Sequence, residues 1–233
     1  MLFDDCYMLP SVPVKTTPSR SYGDACPIAR ALDAVGERWA LLVVRELLLG
    51  PQRFSDLRRA LPGVSSNILT DRLRELEEHG VLRRDQLPPP AASLVYELTG
   101  RGRELAPVLD ALWTWGVTLP RPAGQPRLSS SSVLLFLRGC LERHPHPPEG
   151  VYRLQLDDRV WTVRTGSDGL TIEPGDPTAP DAGLRTDAET LNDLILDPTA
   201  LDAANAALVT GSVSSLRRLL EAAFDVARAV LPA

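Results

Sequence analysis

Glycine and proline cut the first half of this chain into helical blocks too short for anything but a small, tightly turned fold. Apolar residues recur at three- and four-residue spacings across Cys26–Val35 and again across Trp39–Leu49, the pattern of helices with one buried face. Gly50–Pro51 ends the second block. Phe54, Leu57 and Leu61 mark a third, short helix over Phe54–Leu61, and Pro62–Gly63 turns the chain again. Ser65 is placed to cap a fourth helix, Ser66–His79, which Gly80 closes. Val81–Gln86 and Leu94–Leu98 read as strands on either side of a proline-rich tip, Leu87–Pro90. Thr99 then caps a final helix, Gly100–Val117, with Leu105, Val108, Leu109, Leu112 and Trp113 along one side.

Helix, helix, short helix, helix, β-hairpin, helix is the order of a winged helix-turn-helix. On a wheel of 100° per residue, Leu69, Leu73 and Leu76 of the fourth helix fall within about 60° of one another and form its core face. Asn67, Asp71, Arg74 and Glu78 lie opposite, with Thr70 beside them. Asn67 has the donor–acceptor pair that matches adenine and Arg74 the fork that matches guanine. The hydroxyls of Ser65, Ser66 and Thr70 suit phosphate. The same pattern also describes an ordinary amphipathic helix with a solvated face, and this helix carries two arginines against four acids. Attraction to phosphate therefore has to come from Arg53, Arg58, Arg59, Arg83 and Arg84 on neighbouring elements.

The run CPIARALDAVGERWALLVVRELLLGPQRFSDLRRALPGVSSNILTDRLRELEEHGVLRR, followed by VYELTGRGREL, resembles the HxlR family of bacterial transcriptional regulators from Cys26 to about Gly116. The resemblance implies a homodimer joined through its terminal helices, with one reading helix per subunit in the major groove of a double-stranded operator. It implies repression sooner than activation. Carried over by position, Ser65, Ser66, Asn67, Thr70, Arg72 and Arg74 are the DNA-contact candidates. The wing departs from the family pattern, because Ala91-Ala92-Ser93 stands where a basic residue is usual. Some family members sense oxidants or electrophiles through a cysteine at the position of Cys26, which here precedes a helix with Pro27 in its first turn. Asp24 opposes thiolate formation there, and packing at a dimer interface is the other reading of Cys26. Cys6 and Cys140 are read as inert.

Three prolines and a glycine in residues 119–130 mark a linker. The expected division is a flexible arm over 1–19, a DNA-binding and dimerisation domain over 20–118, and a second domain over 131–233. In the last, Ser132–Arg143 is an apolar helix, and Tyr152–Leu156, Trp161–Val163 and Leu170–Ile172 alternate as an antiparallel meander. Gly183–Thr186 adds a strand, Asp187 or Thr190 starts a helix, Pro198 starts another, and Val213–Val230 is a closing amphipathic helix. The fold class is α+β, a winged helix-turn-helix followed by a sheet with helices on one face. The stretch from about Ser130 to Val230, above all DAANAALVTGSVSSLRRLLEAAF, resembles the sterol carrier protein-like fold, which is built around an apolar tunnel. That resemblance implies a cavity lined by Leu135, Trp161, Val163, Ile172, Leu191 and Leu194. The same residues also suit a solid core.

A net charge of -5 does not advertise nucleic-acid binding, and three scattered cysteines are too few for a disulfide scaffold or a zinc site. No apolar run is long enough to span a membrane, no signal peptide is visible, and a cytoplasmic location is expected. No phosphate-binding glycine loop, GxSxG or HExxH occurs, and His144-Pro145-His146 has poor spacing for a metal. The expectation is no enzyme, no cofactor and no metal, but a dimeric regulator that senses an apolar small molecule in its second domain. Two alternatives stand beside it. One is a lipid or small-molecule carrier that uses the winged helix only to dimerise, and the other is a thiol switch at Cys26.

Overall fold

The computed structural model describes residues 21–86, 93–120, 127–201 and 208–230. The expected arm over 1–19, the wing tip 87–92 and the centre of the expected linker, 121–126, lie outside the described residues. The first domain comprises α1 (Pro27–Val35), α2 (Ala40–Leu47), α3 (Phe54–Ala60), α4 (Ser66–Glu78), the antiparallel hairpin β1 (Leu82–Gln86) and β2 (Leu94–Leu98), then α5 (Gly100–Arg103) and α6 (Ala106–Gly116). Its core gathers Val43, Val44 and Leu47 of α2, Leu57 of α3, Leu69, Leu73 and Leu76 of α4, and Tyr96 and Leu98 of β2. The three leucines of α4 are each at most 1% exposed, as their spacing requires. Helix α2 starts at Ala40 because Trp39 before it takes a left-handed backbone, with φ at 79°.

The single helix expected over Gly100–Val117 is two. Pro107 has no N–H to return to the carbonyl of Arg103, so α5 ends there and α6 restarts with Pro107 in its first turn. The break lets α6 swing onto α2 and the second domain.

The second domain is a five-stranded sheet with helices on one face. It contains α7 (Ser130–Arg143), β3 (Gly150–Leu156), β4 (Arg159–Gly166), β5 (Gly169–Pro174), β6 (Ala182–Thr186), α8 (Ala188–Leu196), a single 3-10 turn at Pro198–Leu201, β7 (Val209–Gly211) and α9 (Val213–Val230). The order across the sheet is β5-β4-β3-β6-β7, antiparallel except where β6 runs parallel to β3. The meander β3–β5 matches the alternation of its residues. The crossover to β6 and the three-residue β7 do not show in that alternation.

The domains are docked firmly. Leu49, at the end of the segment after α2, is buried in the core of the second domain. Gly50 follows with φ at 126°, and a Cβ there would come within 3.1 Å of Pro174 Cγ, so glycine is required on both counts. Below it, Gln52 donates to the carbonyl of Glu46 and to Ser131 Oγ, and Ser129 Oγ donates to Glu46 Oε1 at 2.7 Å. On α6, Arg143 donates to both oxygens of Asp110 at 3.0 and 2.9 Å while lying 4.7 Å from the centroid of Trp113.

Candidate nucleic-acid interface

Helix α4 presents the surface expected to read DNA. Ser65 caps it, accepting the N–H of Ile68 at 3.3 Å, which leaves other amides of the first turn facing outward. Asn67, Thr70, Asp71 and Arg74 are all exposed, on the side away from the leucine stripe. Arg74 is the freest cation of the helix, with Asp71 and Glu78 no nearer than 3.8 Å. Ser66 is half-buried, and the Thr70 hydroxyl donates to the Ser66 carbonyl at 2.8 Å.

Arg72 departs from the expected arrangement. Its side chain is only 13% exposed and is engaged by Glu75 on the same helix, with Glu37 before α2 at 3.8 Å. On the wheel it lies about 40° from Leu76, at the border of the core face. It ties α4 to the segment before α2 and is largely covered, unlike Asn67 and Arg74 on the outward face.

The supporting arginines divide in the same way. Arg53, at the N-cap of α3, and Arg58 on α3 are exposed and form no ion pair among the described residues. Arg59 is held by Asp56 at 2.8 Å and by Asp158 of the second domain at 3.1 Å. Hydrogen bonds to those carboxylates, Asp158 first, raise its pKa further above the ordinary arginine value. On the wing, Arg83 pairs with Glu97, and Arg84 pairs with Glu77 at 3.0 Å and covers the Tyr96 ring. Among the candidate arginines in the described residues, Arg53 and Arg58 form no ion pair and Arg74 only long ones, so these three are the least neutralised. The wing-tip departure at Ala91-Ala92 lies outside the described residues, and Ser93 stands at the edge of β2.

A second exposed surface is apolar. Helix α6 buries none of its residues in the subunit. Val108, Leu112 and Trp115 form a stripe at four- and three-residue steps, Trp115 is 63% exposed, and Leu119 is exposed in the turn that follows the helix. On α1, Ile28 and Leu32 are exposed one turn apart. Cys26 is exposed at the N-cap of α1, and its backbone N–H donates to Asp24 Oδ1 at 2.9 Å. Cys140 is fully buried, and burial pushes its thiol up to about 12.

The six residues expected to line an apolar cavity are packed instead. Trp161, Val163, Ile172, Leu191 and Leu194 belong to one contiguous core, and Leu135 packs against it. The two hollows that stand out among the described residues are polar, and none of the six lines either one. Side chains from α7, α8 and α9 fill the space over the sheet. The residue that sequence reasoning missed is Glu46. It is 1% exposed beneath the domain junction, and its partners Ser129 and Ser131 are more than 80 residues away.

A family model described as HxlR-like helix-turn-helix matches residues 34–122. The uncharacterized HTH-type transcriptional regulator sll1512 of Synechocystis is 44% identical over 99 residues, which is 42% of this chain and 73% of that protein. The uncharacterized HTH-type transcriptional regulator YvaP of Bacillus subtilis is 42% identical over 93 residues, 40% of this chain and 86% of that protein. Among solved structures, the reduced form of YodB from B. subtilis aligns at 31% identity over 42% of this chain and 98% of its own, with a TM-score of 0.37. Among the described residues no helix is long and apolar enough to cross a membrane.

Proposed function

The chain belongs to the HxlR-like helix-turn-helix family and is a DNA-binding transcriptional regulator, and from that premise we propose that it acts as a homodimer on a pseudo-palindromic operator. The observation that carries the proposal is the outward face of α4, where Asn67 and Arg74 stand exposed on a helix anchored by three buried leucines. Asn67 and Arg74 are the base readers, with Ser65, Ser66, Arg53 and Arg58 on phosphate. Thr70 has its hydroxyl proton committed to the helix but keeps lone pairs for a water bridge.

The unpartnered apolar stripe of α6, with Ile28 and Leu32 of α1, is what supports the dimer. Two copies joined there carry two copies of α4 on one protein, which is what a two-fold operator requires. A helix pair lying over a promoter excludes other proteins by occupancy alone, so repression is the proposed sign of control.

The second domain is proposed as an effector module with the sterol carrier-like sheet-and-helix layering. Its docking onto α2 and α6 supports that role, because a ligand-driven shift of the module reaches both the reading domain and the proposed dimer helix. An apolar effector among Leu135, Trp161, Val163, Ile172, Leu191 and Leu194 has to displace packed side chains to enter. Cys26 is exposed enough for a thiol switch, and a Cys26→Ser protein that still releases DNA on oxidation would exclude it.

The test is fluorescence anisotropy of the full chain on DNA upstream of its own gene, with unrelated DNA as competitor, over a salt series. Specific binding with a steep salt slope is expected. Asn67→Ala with Arg74→Ala lowers specific affinity by roughly 30-fold or more, at about 1–3 kcal/mol for each of the two base-reading pairs. Unchanged operator affinity in that double variant refutes the assignment of α4 as the reader.

A further inference from the structure

The two domains do not meet flush. Between α3 with its following turn and the start of α7 with the β3–β4 turn, they leave a cleft of about 340 Å3. That lies near the lower end of small-molecule sites, roughly 300–1,000 Å3. Its walls are polar, with Ser129, Ser130 and Ser131 at the start of α7, five carboxylates and three arginines.

Two charged groups in this wall keep bonding capacity that the protein does not use. Glu46 is 1% exposed, and the bonds its carboxylate accepts, from Arg45 and Ser129, all go to Oε1. Its Oε2 has no partner among the described residues. Arg159 lies with its guanidinium 4.4 Å from the Trp161 ring centroid, and none of its N–H groups meets an acceptor among the described residues. The two groups interact at a distance. Burial lowers the pKa of Arg159, and Asp56, Glu46 and Asp158 oppose that shift. Yet Glu46 and Arg159 form no ion pair with each other. A carboxylate oxygen and a guanidinium that line the same open volume without a protein partner keep hydrogen-bonding capacity that a ligand can use.

The chemistry of the missing contact follows from the lining. A simple anion satisfies Arg159 but meets an excess of carboxylates, Glu46, Asp56, Asp157, Asp158 and Glu189. A simple cation satisfies Glu46 and leaves the guanidinium bare. A molecule with a cationic and an anionic group close together satisfies both with charge-assisted hydrogen bonds. We propose that the cleft binds a small zwitterion of the α-amino-acid type, its ammonium donating to Glu46 Oε2 and its carboxylate accepting from Arg159.

The proposal rests on the regulatory reading for its consequence, though not for the binding itself. The α3 wall of the cleft carries Asp56 and Arg59, and Arg59 is already tied across the cleft to Asp158. Occupancy therefore acts on the helix that precedes the reading helix, and on a cation beside the DNA face. A ligand changes DNA affinity here only if it prefers one arrangement of α3 against the β3–β4 turn.

The experiment titrates the full chain, without DNA, with each protein amino acid up to about 10 mM, following tryptophan fluorescence and the thermal midpoint. At least one amino acid saturates the signal and raises the midpoint. In Arg159→Gln its affinity falls by about tenfold or more. Arg159→Lys, which keeps charge and stem but loses the fork, serves if the first variant does not fold, and it also weakens binding. Acetate and methylamine, each carrying one of the two charges, bind at least about tenfold more weakly than the amino acid. The proposal is overturned if no amino acid saturates, if a folded Arg159 variant binds as wild type, or if acetate or methylamine alone matches the amino acid. Operator binding is measured separately. Its absence alongside intact amino-acid binding refutes the regulatory reading and leaves the cleft assignment standing.

Discussion

Trp115→Asp is expected to separate the subunits of the proposed dimer without unfolding them. Trp115 is 63% exposed on a helix that buries no residue in its own subunit, so the fold of the subunit does not depend on it. A tryptophan side chain covers up to about 250 Å2, so the exposed part is about 150 Å2. A two-fold interface counts it twice, about 300 Å2, which at about 25 cal/mol/Å2 is about 7 kcal/mol at the upper limit. Half that figure, allowing for incomplete coverage, is close to 4 kcal/mol and corresponds to roughly a thousandfold weaker dimer. Aspartate adds the cost of placing a carboxylate in the seam. Sedimentation equilibrium at about 1 μM is expected to show wild-type dimer and variant monomer with unchanged circular dichroism. Operator affinity falls in parallel, since each subunit then binds one half-site without the gain from linkage. A variant that sediments as the wild-type dimer refutes the stripe on α6 as the interface.

Other expectations follow from single contacts. Ser65→Ala removes the cap of α4 and lowers stability by about 1 kcal/mol, read by urea denaturation. Arg72→Ala lowers stability by about 1–2 kcal/mol through loss of its part-buried bonds to Glu75, while base preference in a binding-site selection stays as in wild type. A changed preference there contradicts the bracing role. Leu191→Ala, at a fully buried position, costs about 2–5 kcal/mol if the core is solid. A cost near zero points to a pre-existing hollow beside it. The Cys140 thiol is pushed by burial from 9.0 to about 12, so the folded state keeps its proton where the unfolded state has lost it. Stability attributable to this group is therefore full below about pH 9 and falls as pH rises toward 12, by up to about 1.4 kcal/mol per pH unit. Cys140→Ser removes that slope in alkaline denaturation, and alkylation at pH 8 reaches Cys26 well before Cys140.

What could be read in the sequence was whatever is decided locally. Ser65, Thr99 and Asp187 each cap the helix that follows them, accepting backbone N–H groups as their residue types imply. The leucine stripe of α4 and the β3–β5 meander follow from periodicity alone. Pro107 was a local signal too, and it divides α5 from α6 despite continuous apolar spacing on both sides. Arg72 shows the limit of a wheel, where a position at the border of the core face is decided by whether a partner such as Glu37 comes within reach. Pairings between distant residues were not legible. The parallel β3–β6 contact needs a crossover that no alternation encodes, and Glu46 sits beside Arg45 in a helix of otherwise apolar residues with no sign that two distant serines will cover it. The apolar positions of the second domain were legible as apolar, but periodicity cannot tell a wall from a filling.

The docking of the two domains has a mechanical effect that a tether alone lacks. Two domains joined only by a proline-rich tether would transmit little, because the second would diffuse about the first. Here the second domain grips the first at three places that differ in kind. Leu49 is buried in its core, Glu46 and Gln52 bond to the start of α7, and Arg143 holds Asp110 and covers Trp113 on α6. The grip on α6 falls on the same helix as Trp115, two residues along and about 200° round the axis from Trp113. One face of α6 is thus committed to the second domain and the opposite face to the proposed partner subunit. A rotation of α6 cannot improve one contact without disturbing the other. The proposed dimer seam and the domain docking therefore share a single short helix, and the proposed ligand cleft lies at another part of the same junction. Arg143→Ala is expected to loosen that coupling. Its dimer dissociates no more than about tenfold more readily, because Trp115 is untouched, but any effect of a cleft ligand on operator affinity is reduced. A full ligand response in Arg143→Ala would show that the signal passes through α3 alone.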